Sequence, residues 1–408
     1  MKDWKKVFII IWTGQLFSTL SSAVVGYAVV FWLSVQTGSA EVLAFTTIAT
    51  LLPQLLFGLF TGVLIDRWDR KLTMIFADSF IALCSVVLGI LFYFGKAEIG
   101  YIYVLLALRS TGAAFHVPAM QASIPLLAPE SKLMRISGIN QVIHSVSTIA
   151  GPALAALFIT AFNMTYVLMF DVIGAAMACI ALMLVTIPNP PKKSDSHTPD
   201  MFREMKDGLK EIYGKPGLLW LFIYTVAVMF FIMPIAVLFP LMTLNHFSGN
   251  TYMMSVVEVG WGLGMLLGGL LMGVQKFKIN NIVLINTMYL IIGITFAFSG
   301  ILSPTGFWIF VVLTFLCGIA GAVYSGAFTV VLQTTVDPAA LGRVFSIYGS
   351  VTMMPSMIGL LQTGLIADRI GITNAFIIAG IAIVVIGIIS FYTPSVKEMM
   401  KKYKIASS

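Results

Sequence analysis

The sequence predicts an all-α integral membrane protein, with twelve transmembrane helices arranged as two pseudo-symmetric six-helix bundles. Three observations lead there. Of the 408 residues, 59% are hydrophobic and only 10% are charged, less than half the charged share that a water-facing surface needs. The apolar residues gather into twelve stretches close to the length of about 20 residues that crosses a bilayer. And of the 24 lysines and arginines, all but Lys96, Arg109 and Arg369 fall in the segments that alternate spans leave on one side, together with both termini.

In order, the spans are expected near 7–34, 42–65, 72–95, 99–124, 138–161 and 165–187, then 218–243, 252–274, 281–302, 306–331, 345–367 and 372–393. An even number returns the chain to its starting side, and the bias of basic residues identifies that side as the cytoplasm. The expected location is therefore the bacterial cytoplasmic (inner) membrane, multi-pass, with both termini cytoplasmic. The first span follows three lysines, as a secretion signal would. It is too long for a signal core and no small-residue cleavage pattern follows it, so it is expected to be retained.

The net charge of +7 is spent on these loop anchors and does not point to nucleic acid. Cys84, Cys179 and Cys317 sit inside apolar stretches with no metal or disulfide spacing, and read as small buried hydrophobes.

Residues 188–217 form the one long polar segment. It opens as a loop, PNPPKKSDSH. Thr198 then precedes Pro199, an N-cap followed by proline at the first helical position. Phe202, Met205, Leu209 and Ile212 recur at helical spacing, which predicts an amphipathic helix on the cytoplasmic membrane surface. The expected organisation is an N-terminal six-helix half at 1–187, this linker at 188–217, and a C-terminal six-helix half at 218–408. An internal repeat agrees with it. SKLMRISG at 131–138 aligns with AALGRVFS at 339–346, and the same offset pairs Gly151 with Gly359.

Several residues carry candidate chemistry. Gly62 to Lys71 reads GVLIDRWDRK, with charges of both signs directly after a glycine-bearing helix end. Asp66 is a candidate to cap the next helix or to pair with a basic group, and Arg67, Arg70 and Lys71 to bridge to neighbouring helix ends, together a latch that breaks when two halves rock. A plain positive-inside anchor is the other reading. Arg109 lies inside the fourth span, where a cation costs at least about 2.5–3.5 kcal/mol, so it must face a cavity or a partner. His116 lies two turns further on nearly the same face, either as a neutral hydrogen-bonded ring or as a protonation site. Asp171 and Glu258, inside the sixth and eighth spans, are candidates to carry a proton or to hold a substrate cation. Alternatively, Asp171 forms a fixed salt bridge with Arg109, and Glu258 reaches outward to the interface. Asp78 is expected to partner the basic loop cluster.

Other positions read as packing or lining. Gly264 with Gly268, and Gly269 with Gly273, are four apart and suggest helix-packing faces. Gln15, Ser18 and Ser22 on the first span, and Asn140 and His144 on the fifth, form polar stripes that either line a wet cavity or hydrogen-bond between helices.

GVLIDRWDRK resembles the loop signature of the major facilitator superfamily, G-x-L-x-D-R-x-G-R-[KR], with Asp69 in the glycine position as in that superfamily's macrolide-efflux (Mef-type) branch. RSTGAAFHVPAMQASIPLLAPE (109–130), LFPLMTLNHFSG (238–249), LGRVFSIYGS (341–350) and GLIADRIGI (364–372) are similar to the same branch, so the resemblance covers both halves. It implies the major facilitator fold and a drug exporter. RSTG is loosely similar to the fourth-span motif R-x-x-x-G, which implies proton coupling through Arg109. SVSTIAGPALAA (145–156) resembles the antiporter motif G-x-x-x-G-P-x-x-G-G, keeping Gly151 and Pro152 with Ser147, Ala155 and Ala156 in place of glycines.

The expected function is export of macrolide antibiotics from the cytoplasm or inner leaflet by proton-coupled antiport with alternating access. No cofactor is expected, since a proton gradient supplies the energy and no phosphate-binding G-x-x-x-x-G-K-[ST] loop occurs. The expected partners are a small amphipathic drug and the lipid bilayer, with no nucleic acid; the chain is expected to act as a monomer. Three alternatives stand. One is export of a siderophore or other metabolite. Another is a membrane component that needs a separate ATP-binding resistance protein. A membrane acyltransferase would need a His–Asp pair at catalytic spacing near a membrane face, which the sequence lacks.

Overall fold

The computed structural model of the chain describes residues 4–65, 68–127, 133–187, 209–274, 280–336 and 341–406. Twelve long helices follow one another: α1 Trp4–Thr37, α2 Ala40–Ile65, α3 Arg70–Tyr93, α4 Ile99–Leu127, α5 Leu133–Ala161, α6 Met164–Met183, α7 Pro216–Val237, α8 Thr251–Val274, α9 Asn281–Ile301, α10 Phe307–Thr335, α11 Leu341–Ile370 and α12 Ile372–Tyr392. A thirteenth helix, α13, follows at Pro394–Ala406. Eleven of the twelve are long and apolar enough to cross a membrane. The other, α11, has 30 residues, ample for a bilayer at 1.5 Å per residue, but carries Ser346, Ser350, Thr352, Ser356 and Gln362 along its length.

Helix ends differ from the apolar spans where backbone geometry, not hydropathy, sets them. The seventh helix stops at Val237, short of the expected 243, because Pro240 has no amide to donate and its ring crowds the preceding turn. A short helical turn at Phe239–Leu241 and a π-helical turn at Met242–His246 carry the chain onward. The tail after 393 forms α13. Thr393 precedes Pro394, and the new helix packs on α7 with Val396 fully buried. Most of the amphipathic linker helix expected at 199–212 lies outside the described residues; residues 209–213 are helical.

The chain forms two compact units, one of Met1–Thr37 with Phe45–Ser194, the other of Gly38–Ala44 with Asp195–Ser408. In the first, α1 packs on α5 and α6, and α3 on α4 and α6. In the second, α7 packs on α11 and α12, and α9 on α10 and α12. Each pair recurs six helices later, as duplicated halves require.

Glycines make these contacts close. A side chain on Gly151 of α5 would meet Ala23 and Tyr27 of α1, and one on Gly359 of α11 would meet the Phe230 carbonyl of α7. These are the two glycines that the repeat aligns. In the second unit α8 and α10 touch backbone to backbone, through Gly264 and Gly268 on one helix and Gly318 on the other. Gly269, expected to belong to a second packing face, has open space around it instead.

The second unit also holds an end cap. Asp368, near the end of α11, accepts hydrogen bonds from the amides of Ala40 (2.8 Å) and Glu41 (3.2 Å) and from the Ser39 hydroxyl (2.8 Å). A carboxylate there satisfies donors that the first turn of α2 cannot pair itself.

Candidate functional site

Four helices of the first unit converge on one buried ion pair. Arg109 of α4 lies 2.5 Å from Oδ2 of Asp171 on α6. Ser85 of α3 donates to the same oxygen at 2.6 Å, and Ser22 of α1 donates to Oδ1 at 2.7 Å. Arg109 also donates to the Ser85 hydroxyl. Asp171 is 1% exposed and Arg109 8%. An isolated charge at such depth is prohibitive, whereas a charge given a counter-ion and hydrogen bonds is tolerated. Asp171 accepts from three partners, which is why it can sit there. Of the two readings of Asp171, the ion pair with Arg109 is the one observed.

Further along the same α3–α4 seam, Nε2 of His116 lies 3.3 Å from Oδ2 of Asp78, both side chains buried. This corrects the expectation that Asp78 partners the basic loop. Asp78 lies two helical turns into α3, where His116 on α4 is the basic side chain beside it among the described residues. Arg109 and His116 share a helix face, as their spacing requires, yet each has its own carboxylate.

The loop segment bridges helix ends through carbonyls. Arg70, buried, donates from Nη1 to the Ala122 carbonyl of α4 at 2.7 Å. Lys71 donates from Nζ to the carbonyls of Val185 (2.7 Å) and Met183 (3.4 Å) at the end of α6. The two acceptors of Lys71 lie at the end of α6, where a terminating helix leaves carbonyls unpaired, whereas Ala122 lies in the last part of α4. The cap of α3 is Asp69, whose side chain accepts from the Leu72 amide at 2.9 Å. Asp69 therefore takes the capping role expected of Asp66, because it immediately precedes Arg70, the first residue of α3. Asp66 and Arg67 lie outside the described residues, as do the side-chain surroundings of Gly62.

Glu258 on α8 is half-buried, with no hydrogen bond or ion pair among the described residues. The polar stripes divide. Ser22 joins the Asp171 cluster. Gln15 and Ser18 are buried, and Nε2 of Gln15 has no hydrogen-bond partner among the described residues. Asn140 accepts the Trp12 indole N–H at 2.6 Å, an interhelical bond. His144 is exposed, beside Thr148 on its own helix. Gly151 and Pro152 are buried where α5 meets α1.

A second polar cluster escaped the sequence reading. In the second unit the Thr225 hydroxyl bonds to Tyr289 at 2.8 Å and accepts from Tyr324 at 3.4 Å, and Tyr324 meets Tyr348 at 3.2 Å. The hydroxyls come from α7, α9, α10 and α11. Three tyrosines inside otherwise apolar spans were the available signal, since a buried phenol needs a partner. The first unit thus concentrates charge in its interior, and the second concentrates neutral hydroxyls.

Comparison with known proteins adds three findings. A family model described as transmembrane secretion effector matches residues 4–408. Macrolide efflux protein A of Streptococcus pyogenes is 38% identical over 399 residues, 98% of each chain. A bacterial homologue of the iron transporter ferroportin, solved in an inward-facing state, shares the fold with a TM-score of 0.75 over 95% of this chain and 99% of its own, at 14% identity.

Proposed function

The chain belongs to the transmembrane secretion effector family of major facilitator transporters, as a drug exporter of the macrolide-efflux kind, and from that premise we propose that it exports macrolide antibiotics by proton-coupled antiport with alternating access. The observation that carries the substrate is the 38% identity to macrolide efflux protein A, which runs through both units over 98% of the chain.

The coupling reading rests on the buried cluster. Proton transfer to Asp171 removes the charge that holds Arg109, so the guanidinium must find new acceptors and the four helices that meet there must repack. Glu258 is the second candidate. A half-buried carboxylate with no fixed partner suits either a proton or the ammonium group of a macrolide. Moving one elementary charge through 100 mV is worth about 2.3 kcal/mol. Exchange of one proton for one monocationic drug moves no net charge, so it draws on the pH difference alone, and use of the membrane potential requires a second proton.

The test is accumulation of labelled erythromycin in an efflux-deficient bacterium that expresses this chain alone, with and without a protonophore. Lowered accumulation that the protonophore restores is expected. Unchanged accumulation despite confirmed insertion overturns export by the chain alone and directs the search to an ATP-binding partner or another substrate.

A further inference from the structure

Two polar tiers lie one above the other in the first unit. Ser22 of α1, Ser85 of α3, Arg109 of α4 and Asp171 of α6 make the upper one. The lysine and arginine distribution assigns the start of α3 to the cytoplasmic side. On the same four helices, the residues seven places nearer that side are Gln15, Asp78, His116 and Ala178. Seven residues are two turns, about 10.5 Å. Packing on α6 keeps this lower tier level. Gly14, next to Gln15, lies against Ala178 and Ala181, and Ser79, next to Asp78, lies 3.8 Å from Cys179.

The lower tier is buried and under-paired. Nε2 of His116 and Oδ2 of Asp78 are 3.3 Å apart without aligning as a hydrogen bond, and neither atom has another partner among the described residues. Nε2 of Gln15 is an unused donor on the same level. One turn nearer the cytoplasm, Ile11, Met74, Ala119 and Leu182 form an apolar layer, each at most 2% exposed. Other ionisable groups on the packed helices are engaged or further away. Cys179 meets Ser79 and the Ile75 carbonyl. Arg109 and Asp171 hold each other two turns outward, and Arg70, two turns the other way, donates to the Ala122 carbonyl. His144 of α5 is exposed, while Lys5 and Lys6 of α1, Glu41 of α2 and Arg135 of α5 lie towards the ends of their helices.

The tiers differ in what their cations can do. Arginine does not give up its proton, so the upper pair is neutral only while Asp171 is unprotonated. Histidine does, so the lower pair is neutral only while it holds one proton. Without it, a carboxylate stays buried with no counter-charge, which is costly. The closed pair therefore keeps its proton, and water that passes the apolar layer releases it. We propose that His116 and Asp78 form a second proton station, which takes one proton per cycle from outside and delivers it to the cytoplasm. The proposal rests on the proton-coupled export reading above. On release the ring N–H bond breaks, the proton passes to water, and the pair keeps a single negative charge until the next proton restores the imidazolium. With Asp171 carrying the other, two protons enter for each monocationic drug that leaves, so one positive charge moves inward and the membrane potential drives export.

The test uses the purified full-length chain in liposomes, with labelled erythromycin at mildly acidic pH, where its amine is charged, and a pH dye to count protons. The wild type is expected to move two protons per drug. His116→Arg keeps an ion pair with Asp78 but cannot release its proton, and His116→Gln/Asp78→Asn removes both charges. Both variants are expected to halve the ratio to one and to keep export driven by a pH difference. With no pH difference, a potential of about 100 mV, negative on the drug-loaded side, should sustain a drug gradient of about fiftyfold in the wild type and none in either variant. A pair that only ties α3 to α4 leaves the ratio at two in His116→Arg, which overturns the proposal. A ratio of two in the double variant moves the second proton to another group, such as Glu258, and overturns it as well. So does loss of pH-driven export in both variants. A wild-type ratio of one overturns the station and leaves the export reading standing. Absence of protonophore-sensitive transport by the wild type overturns the export reading, and the station with it.

Discussion

Arg109 and Asp171 meet at 2.5 Å inside the first unit, and a second buried carboxylate of that unit, Asp78 on α3, faces His116 instead. The two acid–base pairs are therefore separate, and each can be perturbed without removing the other's partner.

Removing one partner of the first pair leaves a buried charge unmatched, at a cost of about 3–5 kcal/mol. Asp171→Asn is accordingly expected to lose proton-driven erythromycin export and to lower the thermal midpoint sharply. The double variant Arg109→Gln/Asp171→Asn removes both charges and is expected to recover most of the midpoint without recovering export. Recovery of export in the double variant would remove the pair from the coupling mechanism.

Glu258 has no partner among the described residues, so its neutralisation should leave the fold alone. Glu258→Gln is expected to keep the wild-type thermal midpoint while slowing protonophore-sensitive efflux at least about tenfold, the effect of about 1.4 kcal/mol on a barrier. Efflux and its pH dependence, measured in everted vesicles, check this, and wild-type rates would take Glu258 out of the coupling and substrate roles.

The cap that Asp368 places on Ala40 and Glu41 predicts a local effect. Asp368→Ala should cost about 1 kcal/mol, and Asp368→Asn a small fraction of that. Hydrogen exchange should accelerate at the amides of both Ala40 and Glu41 in the alanine variant, and at one of the two in the asparagine variant, which keeps one acceptor oxygen. Unchanged protection of both amides in the alanine variant would show that another acceptor holds the start of α2.

Gly318 of α10 lies against the Trp261 carbonyl of α8, a backbone atom that cannot swing aside as a flexible side chain does. Gly318→Leu is expected to force these helices apart and destabilise the second unit by about 1–3 kcal/mol or more. Gly269→Leu, in open space, should be near neutral. Folded yield and thermal midpoint in detergent distinguish the two.

How much of the site was legible in the sequence depended on the kind of residue. Arg109, His116 and Asp171 stood out because a charged or titratable group in an apolar run is expensive enough to demand an explanation. The tyrosine–threonine cluster did not, because a phenol is nearly as apolar as its neighbours until its hydroxyl must find a partner. The capping role fell to Asp69 rather than Asp66, a shift that hydropathy cannot register.

The sequence by itself determined the number of long helices, their expected orientation and the family. These follow from sums over about 20 residues at a time, or from motifs read in order, and neither needs three-dimensional coordinates. Only the tertiary structure decided that Asp171 takes Arg109 while Asp78 takes His116, that Arg70 and Lys71 reach carbonyls of α4 and α6, and that Asp368 caps a helix 328 positions earlier. Each of these depends on how far a helix is rotated about its axis and how closely its glycines let a neighbour approach. Rotation and approach are set jointly by all the packed side chains, so no short window of sequence contains them.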